Sequence, residues 1–123
     1  MGKVMHFEIP ASDLKRAQDF YSSVFGWEMK PFNDWYLSAR TASSDENGMS
    51  KEPGVINGGI QKRGVRAIAP TIVLSVESID LALSKVEQAG GSVVVSKEEV
   101  AEMGWYAQFN DTEGNRIGLF QVK

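Results

Sequence analysis

The feature that most constrains this chain is an internal repeat. When residues 6–29 are moved forward by 65 positions, they align with residues 71–94, and two apolar patterns coincide. The matched positions are Leu14 with Ile79, Ala17 with Ala82, Tyr21 with Val86, and Val24 with Ala89. Because steps of three and four residues keep side chains on one face of a helix, the repeat predicts two copies of one unit, each containing a helix.

Each copy is predicted to contain a strand, a helix and three further strands. Ser12 or Asp13 can cap the first helix, which ends at Gly26, and Glu77 and Ser78 begin the second. A tight turn at 111–115 joins the last two strands. The predicted strands cover residues 4–9, 27–30, 35–39 and 55–61 in the first copy, and 71–76, 92–96, 105–110 and 116–122 in the second.

The length of the chain favours one domain over two. With 123 residues, the two copies are expected to share a core rather than to fold separately. We therefore expect an α+β fold in a single domain, residues 1–123, in which two tandem βαβββ modules form a curved half-barrel sheet with a central cavity and with the helices outside. The modules cover about 3–62 and about 70–122, and residues 63–69 link them.

Composition excludes several classes of function. The net charge of −3 and the lack of a long basic block argue against a nucleic acid partner. The absence of cysteine excludes disulfides, thiolate nucleophiles and cysteine metal ligands. No apolar run approaches the length that spans a membrane, and the N-terminus does not read as a signal peptide. We expect a soluble cytoplasmic protein with no membrane partner.

Three polar or glycine-rich stretches have a structural interpretation. Residues 41–54 have no apolar period and should form a mobile surface loop, either a lid over a site or a plain connection. Gly58 and Gly59 lack the lysine of a phosphate-binding loop, so they indicate a strand kept free of side chains. Glu98, Glu99 and Glu102 are predicted to form a solvated acidic group on a short helical turn or loop.

His6 and Glu8 are the candidate catalytic residues. His6 is the only histidine, and residues two apart on a strand point to the same side, so His6 and Glu8 should share one face. The carboxylate can orient the imidazole and raise its pKa by favouring the charged form. Such a pair can do acid–base chemistry or hold a substrate hydroxyl. The competing interpretation is a histidine hydrogen-bonded for structural reasons or exposed at the surface.

Paired aromatic residues are candidates for the wall of a pocket. Trp35 and Tyr36 in the first copy match Trp105 and Tyr106 in the second, each pair on a middle strand. Large rings with a polar tip suit a flat or apolar ligand, although one member of each pair is expected in the core because strand neighbours face opposite ways. The full set of candidate substrate-binding residues is Trp35, Gln61, Thr71, Trp105, Tyr106 and Gln108.

Two stretches resemble the glyoxalase, bleomycin-resistance and extradiol-dioxygenase superfamily, also called vicinal oxygen chelate proteins. The first is His6-Phe7-Glu8-Ile9-Pro10-Ala11-Ser12-Asp13-Leu14 with Ala17, Phe20-Tyr21 and Phe25-Gly26-Trp27, and the second is residues 109–120, the last hairpin. The resemblance implies paired βαβββ modules around a cavity, assembled as a homodimer. In metal-dependent members it implies one divalent ion held by His and Glu side chains from the first and last strands of each module.

Transferred to this chain, that ligand set is mostly missing. His6 is the only retained position, since Thr71 stands at the second histidine and Gly118 at a glutamate. Residues 57–61 contain no carboxylate, and Thr112 replaces the usual proline of the hairpin. A zinc-like site needs three or four converging protein ligands. We therefore assign no metal ligands and no cofactor to this chain. A divalent metal stays possible if the site is atypical.

Three functions are consistent with these residues. The favoured one is a glyoxalase- or bleomycin-resistance-like protein that binds a small organic molecule in the cavity between its modules. The alternative is a divalent-metal-dependent lyase, isomerase or dioxygenase related to lactoylglutathione lyase. A third is an assembly module whose cavity is filled by side chains. The expected partners are a small-molecule ligand and a second copy of the chain in a homodimer.

Overall fold

The order of helices and strands follows the predicted repeat. The structure is a computed structural model that describes residues 2–123. Both modules have the order strand, helix, three strands, and the fold is α+β, as predicted. The elements are β1 (Lys3–Ala11), α1 (Leu14–Phe25), β2 (Glu28–Asn33), β3 (Tyr36–Arg40), β4 (Gly58–Lys62), β5 (Thr71–Ser75), α2 (Ile79–Gln88), β6 (Ser92–Val100), β7 (Gly104–Asn110) and β8 (Arg116–Val122).

Side-chain caps fix where each helix begins. The Asp13 carboxylate accepts a hydrogen bond from the backbone N–H of Arg16 at 3.0 Å, and the Ser78 hydroxyl accepts one from Leu81 at 3.1 Å. These acceptors satisfy amide groups that have no partner within the helix. Gly26 ends α1 with φ of 72°, a left-handed conformation that glycine adopts without steric cost. The chain therefore encodes both helix starts in the residue just before each helix.

Contacts divide the chain into two units. One unit is His6–Pro70, and the other combines Thr71–Lys123 with the N-terminal residues up to Met5. The strand β1 consequently contributes its first residues to one unit and the remainder to the other. No helix within residues 2–123 has both the length and the apolar character needed to cross a membrane.

The unit His6–Pro70 consists of four strands with α1 on one face. The strand order is β2-β3-β4-β1, in which β1 and β4 are parallel and the other pairs are antiparallel. Two registers matter for the site, because Glu8 and Ser38 both lie opposite Gly59. The core on the α1 side contains Ala11, Leu37, Ala39 and Ile60, with Leu14, Ala17 and Tyr21 of the helix packed against them.

The second unit repeats this arrangement. Its strands lie in the order β6-β7-β8-β5, and the first residues of β1 follow β5. β5 and β8 are parallel with Val73 opposite Gly118, and β7 places Gln108 opposite the same glycine. Ile79, Ala107 and Leu119 form the buried core beneath α2. Asp111 accepts backbone hydrogen bonds from Asn115 and Glu113 in the predicted turn, and these bonds lower the pKa of its carboxyl group.

Two predictions about local structure are wrong. The acidic residues Glu98 and Glu99 lie on a strand rather than on a helical turn or loop, because β6 continues to Val100 by pairing with Tyr106 and Trp105 of β7. Trp35 lies in the turn before β3 rather than on the strand, and the Asn33 side chain accepts a hydrogen bond from its backbone N–H at 3.0 Å. In both cases pairing with the neighbouring strand decides where regular structure starts or stops.

The irregular segment 41–54 is tied to the sheet by one buried side chain. Asn57 is 9% exposed, accepts a hydrogen bond from the Thr41 backbone at 2.8 Å, and donates to Ser44 and to the Gly48 carbonyl at 2.6 and 2.9 Å. A single amide thereby holds both halves of the segment. The prediction of a loop is correct for its irregular backbone, and its mobility stays a prediction.

Candidate functional site

The face of the unit His6–Pro70 that points away from α1 is lined by polar residues. Side chains alternate along a strand, and Ile9, Leu37 and Ile60 point towards the helix. Their strand neighbours therefore share the opposite face, which we call the polar face. Its members are His6, Glu8, Tyr36, Ser38, Gly59 and Gln61. The predicted pairing of His6 and Glu8 on one side follows from this geometry.

The polar face is organised around a hydrogen bond between His6 and Tyr36. His6 Nε2 and the Tyr36 hydroxyl oxygen are 2.7 Å apart. A Cβ atom added at Gly59 would overlap the end of the Tyr36 ring, so the ring lies directly over this glycine. The absence of a side chain at residue 59 thus creates the space that lets the hydroxyl reach the imidazole.

Burial favours the neutral form of His6. Desolvation lowers the pKa of the imidazole, and the opposing effect of the Glu8 carboxylate is smaller. Glu8 therefore acts on the His6 pKa in the expected direction, but the cost of charging a buried ring exceeds its attraction. A neutral imidazole has one donor and one acceptor nitrogen, so Nε2 can either accept the phenol proton or donate to its oxygen.

Two other predicted residues are buried on the same face. Glu8 is 9% exposed and Gln61 is 8% exposed. Both are hydrophilic groups whose burial requires hydrogen-bonding or charged partners. Carboxylate, imidazole, phenol and amide groups together can orient a bound hydroxyl or carbonyl, and the imidazole and phenol can exchange a proton with it.

The second unit has a matching arrangement on the equivalent face. The strand registers make Tyr106 equivalent to Tyr36 and Gly118 equivalent to Gly59. The Gln108 side-chain amide donates to the Tyr106 hydroxyl at 2.8 Å, and a Cβ atom at Gly118 would be 3.0 Å from that hydroxyl oxygen. A tyrosine over a glycine therefore occurs in both copies, and the Tyr106 hydroxyl contacts Gln108 of its own strand where the Tyr36 hydroxyl contacts His6.

The structure brings some of the predicted substrate-binding residues together and separates others. Thr71 is buried on the same face of its unit as Tyr106 and Gln108. Trp105 lies on the opposite face, packed against the core beneath α2, with the Lys97 and Lys123 ammonium groups 5.0 and 5.4 Å from its ring centroid. One member of this pair is therefore in the core, as expected from strand alternation.

Trp35 does not join the polar face, and Tyr36 does. Trp35 is 46% exposed in the turn and meets Tyr36 edge to face at 6.1 Å between ring centroids. Trp35, and not Tyr36, is among the residues predicted to bind substrate. The repeat contained the better signal, because Tyr36 matches Tyr106 and each tyrosine is followed by a glycine-containing strand.

Comparisons with known proteins agree with this architecture. A family model described as bleomycin resistance protein-like N-terminal matches residues 3–35. A glyoxylase-like domain-containing protein from Didymella fabae is 28% identical over 122 residues, which is 93% of this chain and 89% of that protein. These similarities indicate the vicinal oxygen chelate superfamily. A second relative, the anthracycline biosynthesis protein DnrV of Streptomyces peucetius, is 25% identical over 94% of this chain and 45% of its own length.

Two solved structures have a similar fold. Methylmalonyl-CoA epimerase from Mycobacterium tuberculosis is similar with a TM-score of 0.65 and 14% identity, covering 97% of this chain and 87% of that one. Homoprotocatechuate 2,3-dioxygenase from Brevibacterium fuscum, in complex with 3,4-dihydroxyphenylacetate, has a TM-score of 0.69 and 17% identity over 97% of this chain and 36% of its own. At these identities the likeness concerns the fold alone.

Proposed function

We propose that this protein binds a small aromatic or polar-aromatic molecule through the polar face, with His6 and Tyr36 as the central contacts. The observation that carries the proposal is the 2.7 Å hydrogen bond between the partly buried His6 and Tyr36. Gly59 has no side chain, so the Tyr36 ring can lie over it on this face. Phenol and imidazole groups combine an apolar ring with a polar tip, which suits a ligand that has both characters.

The relatives are compatible with a ligand of this class. One relative is named for anthracycline biosynthesis, and one structural neighbour holds 3,4-dihydroxyphenylacetate, an aromatic acid with two adjacent hydroxyl groups. Both names concern those proteins and not this chain. They favour aromatic compounds with oxygen substituents as the first compounds to test.

The residues on these faces do not fit the metal site that the superfamily implies. No group of three or more His, Asp or Glu side chains converges anywhere in residues 2–123. Glycines stand at the carboxylate positions, Gly59 and Gly118, and a side chain added there would meet Tyr36 or Tyr106. Hydroxyl and glycine residues cannot supply the three or four converging ligands of a zinc-like site. We therefore propose ligand binding through hydrogen bonds and ring contacts.

A matched pair of tyrosine variants tests the proposal. A panel of aromatic diols, aromatic acids and polycyclic quinones is screened by thermal shift, since a ligand that binds only the folded state raises the Tm. For a compound that binds, Tyr36→Phe is expected to weaken affinity about ten-fold, because one buried hydrogen bond is lost. Tyr21→Phe is the control, because Tyr21 stacks on Trp27 on the α1 side of the sheet. Equal affinity in the Tyr36→Phe and wild-type proteins would contradict the proposal.

A second candidate is acid–base catalysis of a lyase or isomerase type. It is favoured by the short His6–Tyr36 contact, since a neutral imidazole beside a phenol can transfer a proton to or from a bound substrate. Metal analysis of protein purified without added chelator separates this candidate from a metal enzyme. A stoichiometric divalent metal that is lost in His6→Ala would overturn both the binding proposal and the metal-free reaction.

A further inference from the structure

We propose that an open cleft on the α1 side of the unit His6–Pro70 is a second binding site, for small aromatic carboxylates. The cleft has a volume of about 330 Å³ and lies where β1 passes into α1. Ser12, Asp13, Arg16, Phe20 and Arg63 line it. This site is separate from the polar face, because Ala11 and α1 lie on the other side of the sheet from His6.

Two arginines give the cleft its positive charge. Neither Arg16 nor Arg63 forms an ion pair with any carboxylate in residues 2–123. The Arg63 guanidinium donates through Nε to the Ser12 hydroxyl at 3.2 Å, and its backbone N–H donates to the Ala11 carbonyl at 2.8 Å. These bonds hold Arg63 against the start of α1. Its terminal nitrogens remain as donors, arranged in the planar geometry that matches a carboxylate.

One carboxylate, that of Asp13, also lines the cleft, and it already accepts a hydrogen bond from the helix. Asp13 accepts the backbone N–H of Arg16 at 3.0 Å as the cap of α1. The helix amides are therefore not the donors that we assign to a ligand. Two guanidinium groups against one carboxylate leave a net positive charge in the cleft, which favours an anion over a cation.

An aromatic ring stands beside this charge. Phe20 lies one helical turn after Arg16, on the same face of α1, and is 53% exposed. Edge contacts with Tyr21 at 5.1 Å and Phe25 at 6.5 Å hold its ring in place. An exposed ring that lines the same cleft as two guanidinium groups can pack against the ring of a ligand whose carboxylate reaches the arginines.

The volume of the cleft sets the size of the ligand. A cleft of about 330 Å³ is at the small end of the range for small-molecule sites, and it accommodates one ring with a short acidic chain. The shallow, solvent-open position limits affinity, so a Kd on the order of 1 mM is expected for such a compound. The suitable probe is 3-phenylpropanoate, with 3-phenylpropanamide as its neutral counterpart.

The experiment follows side-chain and backbone NMR signals of the full chain during titration at low ionic strength. We expect 3-phenylpropanoate to shift the Arg16 and Arg63 Nε–Hε signals and the backbone signals around Ser12, and to leave the His6 ring signals unchanged. The neutral amide should bind at least about five-fold more weakly, and 0.3 M NaCl should weaken the acid by a similar factor. Equal binding of acid and amide would overturn the proposal.

Matched variants assign the site to its residues. Arg16→Gln and Arg63→Gln should each weaken 3-phenylpropanoate binding about five-fold, and the double variant should abolish it. Lys15→Gln is the control, because Lys15 is on the same helix turn but pairs with Asp19 at 2.9 Å outside the cleft. Phe20→Ala should weaken 3-phenylpropanoate and leave acetate unaffected. A loss of binding in Lys15→Gln as large as that in the arginine variants would overturn the assignment.

Discussion

The titration of His6 makes the free energy of unfolding depend on pH. This contribution can be measured separately from that of other imidazoles because the chain contains no second histidine. Burial lowers the pKa of His6 in the folded protein. In the unfolded chain the ring titrates with a pKa of about 6.5, so below that pH the unfolded state binds a proton that the folded state still excludes. Stability therefore falls as the pH is lowered from 7 towards the folded pKa, by at most about 1.4 kcal/mol per pH unit.

Urea denaturation between pH 5 and 7 measures this slope, with His6→Gln as the comparison. The variant changes the overall stability because the contact with Tyr36 is lost, but its free energy of unfolding should vary less with pH over this range. NMR titration of the single imidazole gives the direction of the shift independently. A ring pKa above the model-peptide range, or an unchanged slope in His6→Gln, would refute the assignment of this pH dependence to His6.

At the scale of strands, the glycines beneath the two tyrosines should differ in their tolerance of a methyl group. In Gly59→Ala the new Cβ overlaps the Tyr36 ring, whereas in Gly118→Ala it lies 3.0 Å from the Tyr106 hydroxyl and 3.1 Å from Val73 Cγ2. We expect Gly59→Ala to lower the free energy of unfolding by about 1–3 kcal/mol and Gly118→Ala to cost less.

A double-mutant cycle identifies the cause of the Gly59→Ala effect. Combining it with Tyr36→Ala should recover part of the loss, because the overlapping ring is then absent. Denaturant unfolding of the two single variants and the double variant gives the coupling free energy. Strict additivity would show that backbone effects at residue 59, and not the ring, account for the destabilisation.

The side chain of Asn57 is predicted to hold segment 41–54 in one conformation. Asn57→Ala removes its bonds to Thr41, Ser44 and the Gly48 carbonyl. The expected cost is about 1–3 kcal/mol, with faster hydrogen exchange at the backbone amide of Thr41 and nearby residues. Asn47→Ala is the control on the same loop, because its exposed side chain makes no such bonds. Unchanged exchange in Asn57→Ala would show that other contacts hold the segment.

At the scale of the whole molecule, the N-terminus is predicted to stabilise the distant half of the sequence. β1 pairs with β4 only from Phe7 onwards, and the residues up to Met5 belong with Thr71–Lys123. Gly2 lies beside the side chains of Leu74 and Val76, at 3.7 Å from an added Cβ atom. Removing residues 2–4 should therefore lower the hydrogen-exchange protection of β5 amides and leave β3 amides protected. Loss of protection in β3 to the same extent would contradict this division.

The helices, their caps and the turn at Asp111 could be predicted from the sequence. The apolar period placed α1 and α2, and Asp13, Ser78 and Gly26 marked their ends as predicted. The turn that begins at Asp111 was also recognised, because aspartate can bond its own following amides. These features depend on residues within a few positions of one another, so their physical causes are visible along the chain.

The candidate site was only partly predictable. His6, Glu8, Gln61, Tyr106 and Gln108 were selected from the sequence, and each lies on a strand face turned away from a helix. Tyr36 is not among the predicted residues, and the structure places it at the start of β3, where it pairs with Gln61 of β4. The extension of β6 through Glu98 and Glu99 was missed, since its partner strand supplies the bonds. Such pairings join residues that are remote in sequence.

By itself the sequence determined the repeat, the α+β order of elements, the helix limits and the chemistry available at each position. Only the tertiary structure decided that the Tyr36 hydroxyl meets His6, that burial lowers the histidine pKa despite Glu8, and that two arginines border one cleft. The physical reason is the distance along the chain over which each interaction acts. Helix caps and apolar periodicity involve residues a few positions apart. Strand register, desolvation and contacts between side chains depend on which distant segments lie together.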